Sequence, residues 1–551
     1  MLVAALPRDW FDSRQGRVLL ENLTAYLFIF PAGAIIFIFG LFPVAFAFFV
    51  SLYRWRRFPD EYLGLENYYK ALGNFGYILF FFTALAVLVY AAILFYQLVK
   101  RVRGGMWLYI LPGIVNAAAA ALFVDWFFKL LPYVLDVPRR MPRGQTRDRA
   151  LFVDEFFNSF KFEGVPDAGY RLLFGLVAGV VLSLACLWLV RSRDRVEVLL
   201  RITVTVLLVI GGAWLMRLTL NEMDETIQLA EDAGESLPIW TQIIFIGLGA
   251  ILLFVAYAVW TRAVRQDEDR RFVFWGLAAL LLMAGGYLLI VYFPQSITAI
   301  DNDLEQGFWV TILYVIGTVP VQLGLGLGLA YLLFHTQRGK TMFRIIYFLP
   351  YITPFAATAV VFSTMFSNRN NSPANYMLKF FGIDSQKWLL EPTPVNELIF
   401  KRDLPQLLEG PGLALVVIMI WSIWTYIGYD TVIFMAGLGN IPPEYYEAAR
   451  IDGASTWSLF RHITLPLLSP TTFFLSLIAI IGTFQAFTQM WIMRRPAAYD
   501  AVDTVGVYLF ETVSTKAEYG YGSAMAFVLF ATILMITFFQ NRILSRRVFY
   551  G

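Results

Sequence analysis

The chain has 551 residues, of which 59% are hydrophobic and only 15% charged, with a net charge of +3. That is too little charge to cover a soluble protein of this length, and apolar runs long enough to span a bilayer recur, so a soluble enzyme is excluded and an all-α polytopic membrane protein is expected. One cysteine, Cys186, and two histidines, His335 and His462, rule out an intrachain disulfide and argue against haem or a thiolate-bound metal.

Arg8, Arg14 and Arg17 precede the first apolar run, which is too long for a signal peptide and has no small-residue cleavage site after it. It reads as a retained helix. Twelve spans are expected near residues 25–51, 77–98, 105–131, 171–190, 198–217, 239–261, 272–293, 308–334, 344–366, 413–438, 469–493 and 521–541. With the N-terminus inside, the inner loops carry Lys100, Arg101 and Arg103, then Arg191, Arg193 and Arg195, then Arg262, Arg265, Arg270 and Arg271, then Arg338, Lys340 and Arg344. The C-terminus, with Arg542, Arg546 and Arg547, is also inside, while "NEMDETIQLAEDAGESLP" and "IDNDLEQG" fall outside. Two outer loops break the positive-inside bias: one holds Arg54, Arg56 and Arg57, and the loop 132–170 holds "PRRMPRGQTRDR".

Several features along the way carry less than their motifs suggest. Asp125 and Lys129 lie four apart in the third span and can neutralise each other on one helix face. Cys186 reads as a small core residue. "GLGLGLA" (324–330) fails the dinucleotide pattern at Leu329, and Gly324 with Gly328 instead suits close helix packing. "RGKT" (338–341) fails the phosphate-loop pattern, because Phe334 stands where its first glycine belongs. Asp430, alone in the tenth span, either faces a translocation path or pairs with a partner subunit.

One compact polar stretch interrupts the oil: "EYYEAARIDGASTWSLFRHITLPLL", residues 444–468, on the inner side of this topology. Pro442 and Pro443 suit the first turn of a helix, and Glu444 and Glu447 complement its dipole. Gly453 stops the helix, Ser455 or Thr456 caps a second one, and Pro466 ends that. Ala448 and Ala449 leave a shallow face. The residues alone leave two readings open, a docking surface for another protein or an amphipathic connector lying on the membrane.

Glu447, Ala448, Ala449, Gly453, Ile463, Leu465 and Pro466 stand at the spacing Glu-Ala-Ala, three residues, Gly, nine residues, Ile-x-Leu-Pro. The stretch resembles the cytoplasmic loop of permease subunits of binding-protein-dependent ABC importers, in the sugar-transporting, maltose-type branch. "GLENYYKAL" (64–72), "FWVTILYVIGTVPVQLGLGLGLAYLL", "RGKTMFRIIYFLPYITP", "IWSIWTYIGYDTVIFMAGL" and "YGYGSAMAFVLF" are similar to the same family, in its order. The resemblance divides the chain into residues 1–74, with a cytoplasmic segment, the first core helix and an external segment; an unrecognised insertion at 75–299 with about six helices; and a core at 300–551 with five helices and the coupling loop 440–468.

The resemblance implies a permease that moves a sugar or related polyol across a bacterial plasma (inner) membrane by alternating access. Its expected partners are a second permease subunit, two ATP-binding subunits, an extracytoplasmic substrate-binding protein, membrane lipid and the sugar. ATP and Mg would sit on the ATP-binding subunits, so this chain would bind no cofactor and catalyse no bond chemistry. Glu447 would contact the ATP-binding subunit, Gly453 would form the turn, and Arg450 and Asp452 would flank the contact. Where relatives often read Gly-Gly-Pro, this chain has Arg494, Arg495 and Pro496, which implies a different surface towards the binding protein.

Sugars bind to hydrogen-bonding groups beside aromatic faces. Ser422, Tyr426 and Tyr429 share one face of the tenth span, and Phe484, Gln485 and Thr488 lie on the eleventh; the resemblance places Ser422, Tyr426, Tyr429, Gln485 and Thr488 on the substrate path, and Phe484 is counted with them. The alternative is a transport-inactive scaffold or regulator whose inserted helices recruit another protein. A transporter driven by ion coupling would have no need of an ATPase-docking loop.

Overall fold

A computed structural model describes residues 14–56, 59–101, 106–141, 149–190, 194–264, 268–298, 300–335, 339–401 and 410–544. Arg8, Arg57, Arg103, Arg191, Arg193, Arg265, Arg338, Arg546 and Arg547, on which part of the charge pattern rests, lie outside the described residues. Ten described helices are long and apolar enough to cross a membrane, or up to 12 if each of two bent pairs is one span. The chain is an all-α membrane protein, and by its contacts it divides into two units, residues 1–299 with 518–524, and residues 300–517 with 525–551.

In the first unit, α1 (Arg14–Ile36) runs through a π-helical turn, Phe37–Leu41, into α2 (Phe42–Ser51). A short antiparallel ribbon comes next, β1 (Tyr53–Trp55) and β2 (Pro59–Tyr62), and then α3 (Glu66–Leu72). Asn67 holds this turn by donating to the Ser51 and Tyr53 carbonyls at 2.8 and 3.2 Å. Residues 518–521 pack on the same ribbon. Glu518 pairs with Lys70 at 3.5 Å, and a Cβ at Gly520 would strike the Tyr53 carbonyl.

Six long helices fill the rest of the unit: α4 (Asn74–Arg101), α5 (Trp107–Leu135), α6 (Val165–Leu189), α7 (Arg195–Asp232), α8 (Ile239–Ala263) and α9 (Glu268–Ser296). Their crossings use small residues, because lipid gives apolar helices no hydrophobic reason to associate and close van der Waals contact must serve instead. Gly249 of α8 and Gly285 of α9 meet so closely that a Cβ on either would fall within about 3 Å of the other's carbonyl. Lys129 and Asp125 form the expected i,i+4 pair on α5 at 2.9 Å, with Arg171 Nη2 3.9 Å away. Cys186 is buried.

The second unit centres on α10 (Asn302–His335) and α13 (Leu413–Gly439). Between them in sequence, α11 (Lys340–Ile352) and α12 (Phe355–Met365) form one apolar stretch bent by 93° at Thr353 and Pro354. The close approach of α10 to α13 is at Gly326, where a Cβ would sit 2.8 Å from Asp430 Cβ. Gly324 and Gly328 meet nothing within 4 Å on their own face of the helix among the described residues. At Gly428, α13 comes so near α11 that a Cβ would overlap the Tyr347 carbonyl.

The expected eleventh span, 469–493, is broken. It consists of α16 (Ser469–Phe484) and α17 (Thr488–Met493), separated at Gln485–Phe487. α18 (Val505–Ser514) and α19 (Tyr519–Leu544) complete the chain. After α17, Arg494 turns inward. Its Nη1 donates to Asp503 at 2.8 Å and to Glu511 at 3.4 Å, and its guanidinium lies 4.0 and 4.5 Å from the Trp491 and Tyr499 ring centres. Arg495 donates to the carbonyls of Ile492 and Arg494.

Burial pushes the Asp503 carboxyl up to about 6, outweighing the opposing attraction of Arg494, and its Oδ1 is buried with no hydrogen-bond partner among the described residues. Because the folded value lies above the unfolded one, this group favours the folded state at low pH and that contribution is lost as pH rises through about 6. Between about pH 5 and 7.5 the wild-type protein in detergent should therefore lose more thermal stability than Asp503→Asn does. Equal losses would show that Asp503 is not held this way.

Candidate functional site

Two features of the second unit bear on function, a cavity and a hairpin, and α13 carries both. The cavity of about 220 Å³ lies among α10, α11, α13, α16 and α17. α10 contributes Tyr314, Thr318 and Gln322, and α13 contributes Ser422, Tyr426 and Asp430, each set spaced by four so that it lines one helix face. Tyr351, Tyr429, Thr483 and Gln489 are also part of the lining.

The hydroxyl of Tyr314, which is fully buried, bonds with Ser422 Oγ and accepts from Gln489 Nε2 at 3.1 Å, so one group ties α10, α13 and α17 together. Tyr351 stacks on Tyr429 with centroids 4.8 Å apart and meets Tyr426 at 5.8 Å. Thr318 Oγ1 and Asp430 Oδ2 are buried with no hydrogen-bond partner among the described residues. A partly open space with mostly neutral polar groups beside phenol rings suits a polyhydroxy solute.

Ser422, Tyr426 and Tyr429 line this cavity. Phe484, Gln485 and Thr488 are not among its lining residues. Phe484 is buried elsewhere, while Gln485 and Thr488 are exposed. Within α16 it is Thr483, not its neighbour Phe484, that lines the cavity; the helix is interrupted after Phe484, and beyond the interruption Gln489 lines it. On α10 the signal for Tyr314, Thr318 and Gln322 is their i, i+4, i+8 run, a pattern visible in the sequence that the aromatic and hydroxyl residues of α13 overshadow.

The hairpin begins just after α13 ends. α14 (Pro443–Ile451) starts at Pro442 and Pro443, and Gly453, with φ +81°, makes the turn. Ser455 Oγ accepts from the Ser458 N–H at 3.3 Å and caps α15 (Thr456–Leu459). The second arm does not stop at Pro466. A π-helical turn, Phe460–Thr464, leads into a last turn, Leu465–Leu467, so the arm runs on to α16 across a bend of 62°. A wide turn of this kind accommodates a proline that lacks the N–H a regular helix needs.

Tyr446 and Thr464 join the two arms by a hydroxyl contact of 3.1 Å, and Ile441 and Leu468 anchor the hairpin in a core with Leu333, Phe434 and Leu438. The outer face is open. Glu447, Ala448, Arg450, Asp452, Gly453, Leu465 and Pro466 are exposed, and Ala449 and Ile463 are half-buried. Ile451 is 86% exposed and Trp457 67%, so large apolar side chains stand in the open beside the shallow Ala448 position.

The profile of the family described as "Binding-protein-dependent transport system inner membrane component" matches residues 322–550, which include α13, the hairpin and most of the cavity. The arabinooligosaccharides transport system permease protein AraP of Bacillus subtilis is 31% identical over 44% of this chain and 70% of its own length. The chain belongs to this family of transport permeases. The probable ABC transporter permease protein YesP of the same organism is 32% identical over 45% of this chain and 75% of its own. The sulfoquinovosyl glycerol transport system permease protein SmoG of Agrobacterium fabrum is 26% identical over 57% of this chain and 96% of its own. This permease is thus a multi-pass inner membrane component of a binding-protein-dependent transport system.

Replacing Tyr314 by Phe removes the shared hydroxyl and leaves Ser422 and Gln489 short of a partner in a buried place. The expected cost is about 1–2 kcal/mol, read as a melting temperature in detergent lower by a few degrees. An unchanged melting temperature would show that the bridge does not hold the cavity wall.

Proposed function

We propose that this chain is one of two permease subunits of an ATP-driven importer that moves a saccharide or related polyol by alternating access. The observation that carries the proposal is the hairpin. It is anchored at its base, turned at a left-handed glycine, open on its outer face, and joined to the helix that lines the cavity. A surface with exposed Ile451 and Trp457 beside small alanines fits a groove on another protein better than water. Glu447 with Arg450 and Asp452 supplies polar contacts around that apolar centre, the arrangement usual for a protein interface.

In this reading the hairpin faces the cytoplasm, as do both termini, and docks on one of two ATP-binding subunits that hold ATP and Mg. A substrate-binding protein delivers the solute from the other side. The chain itself supplies the path and no bond chemistry: phenol rings and neutral hydrogen-bonding groups receive the solute, and tilting of α13 opens the cavity to either side. The saccharide class is supported by the cavity chemistry and by the solutes for which AraP and SmoG are named. Residues 1–74 with 300–551 form the transport core and 75–299 an insertion.

The test is co-purification. Tagged chain expressed with its genomic neighbours should bring down an ATP-binding protein. Glu447→Lys, which reverses a charge on the open face, and Gly453→Pro, which cannot adopt φ +81°, should each reduce that recovery by about tenfold or more. Recovery that is unaffected by both changes would make the hairpin a connector and overturn the coupling role.

A further inference from the structure

Asp430 is the only carboxylic acid among the described residues that line the cavity, and none of those residues is Lys, Arg or His. Its side chain is 2% exposed, and its Oδ2 finds no partner among the described residues. A carboxylate in such surroundings is costly unless something of opposite charge reaches it. Helix packing explains why the acid stays where it is: α10 approaches at Gly326 against Asp430 Cβ, while Thr431 Oγ1 donates to the Gly326 and Ile427 carbonyls at 3.3 and 2.6 Å. Packing does not explain why the residue is an acid.

The rings of Tyr351, Tyr426 and Tyr429 line the same space. Phenol faces attract a cation through their quadrupole, and they do so most strongly where water is excluded. Ser422, Thr318 and Gln489 offer neutral groups to hydroxyls. An anion would meet the Asp430 carboxylate with no cation in the described lining to offset the repulsion.

Resting on the saccharide-importer reading, we infer that this cavity receives a saccharide carrying a protonated amine, whose ammonium pairs with Asp430, and that it disfavours acidic saccharides. At about 220 Å³ the cavity is below the size usual for drug-sized ligands, which suits one ring or the end of a longer solute. Asp430 is then the residue that sets charge preference on the path.

The experiment uses the whole importer, this chain with its partner subunits and binding protein, in lipid vesicles with ATP. Three matched probes are compared, a β-1,4-linked glucosamine disaccharide, its glucose counterpart and its glucuronate counterpart. The wild type should take up the amine probe faster than the glucose probe, and the glucuronate probe slowest. Asp430→Asn should lower the amine-to-glucose uptake ratio by about tenfold or more, the size expected from losing one charge-assisted contact, and Asp430→Glu should retain the preference. Because the readout is a ratio, loss of folded protein does not alter it. A wild type that takes up glucose but shows no amine preference, or an Asn variant with the wild-type ratio, overturns the inference and leaves the importer reading standing. ATP-driven uptake of none of the three overturns both.

Discussion

At Gly428 the backbone of α13 runs so close to the Tyr347 carbonyl of α11 that no side chain fits between them. Two helices in lipid gain nothing from burying apolar surface against each other, so their association depends on how near their backbones can come. Gly428 on one side and Gly326 on another bring α11 and α10 onto α13, and the cavity is the space left where these helices diverge around Tyr351, Tyr426 and Tyr314. A methyl group at Gly428 would have to displace a main-chain carbonyl, not the tip of a flexible side chain.

The membrane class, the number of apolar stretches and the hairpin were legible in the sequence because each rests on local chemistry. Span length is set by bilayer thickness, and Pro443, Gly453 and Ser455 act within a turn of their own position. That Ser422, Tyr426 and Tyr429 share a face was legible for a similar reason: a regular helix presents positions three and four apart on one face. Gln485 and Thr488 do not line this cavity; helical regularity stops at Phe484, and nothing in "TFQAFTQ" advertises the interruption. Which glycine of α10 meets α13 was not legible, since Gly recurs at 324, 326 and 328 and only the position of α13 distinguishes Gly326.

Arg494 shows how little composition says about contacts. Two adjacent arginines after an apolar span give no sign in the sequence of what their guanidinium groups touch. Asp503 and Glu511 draw the first guanidinium in, Trp491 and Tyr499 lie against it, and the second arginine is spent on main-chain carbonyls. The cluster fixes the path of the chain between α17 and α18, which in turn places Thr504 to donate to the Ala486 carbonyl, beside the cavity wall.

α13 is unbroken from Leu413 to Gly439, with no proline inside it. Ser422 and Gly439 are therefore about 25 Å apart along one stiff rod. Such a rod acts as a lever whose short connection to α14 is its handle. A tilt of about 10° around the Gly439 end would swing Ser422 through roughly 4 Å, more than the length of a hydrogen bond. The bridge between Tyr314 and Ser422 is then a latch at the far end of that lever, engaged in the present arrangement and too short to survive the swing unless α10 moves with it.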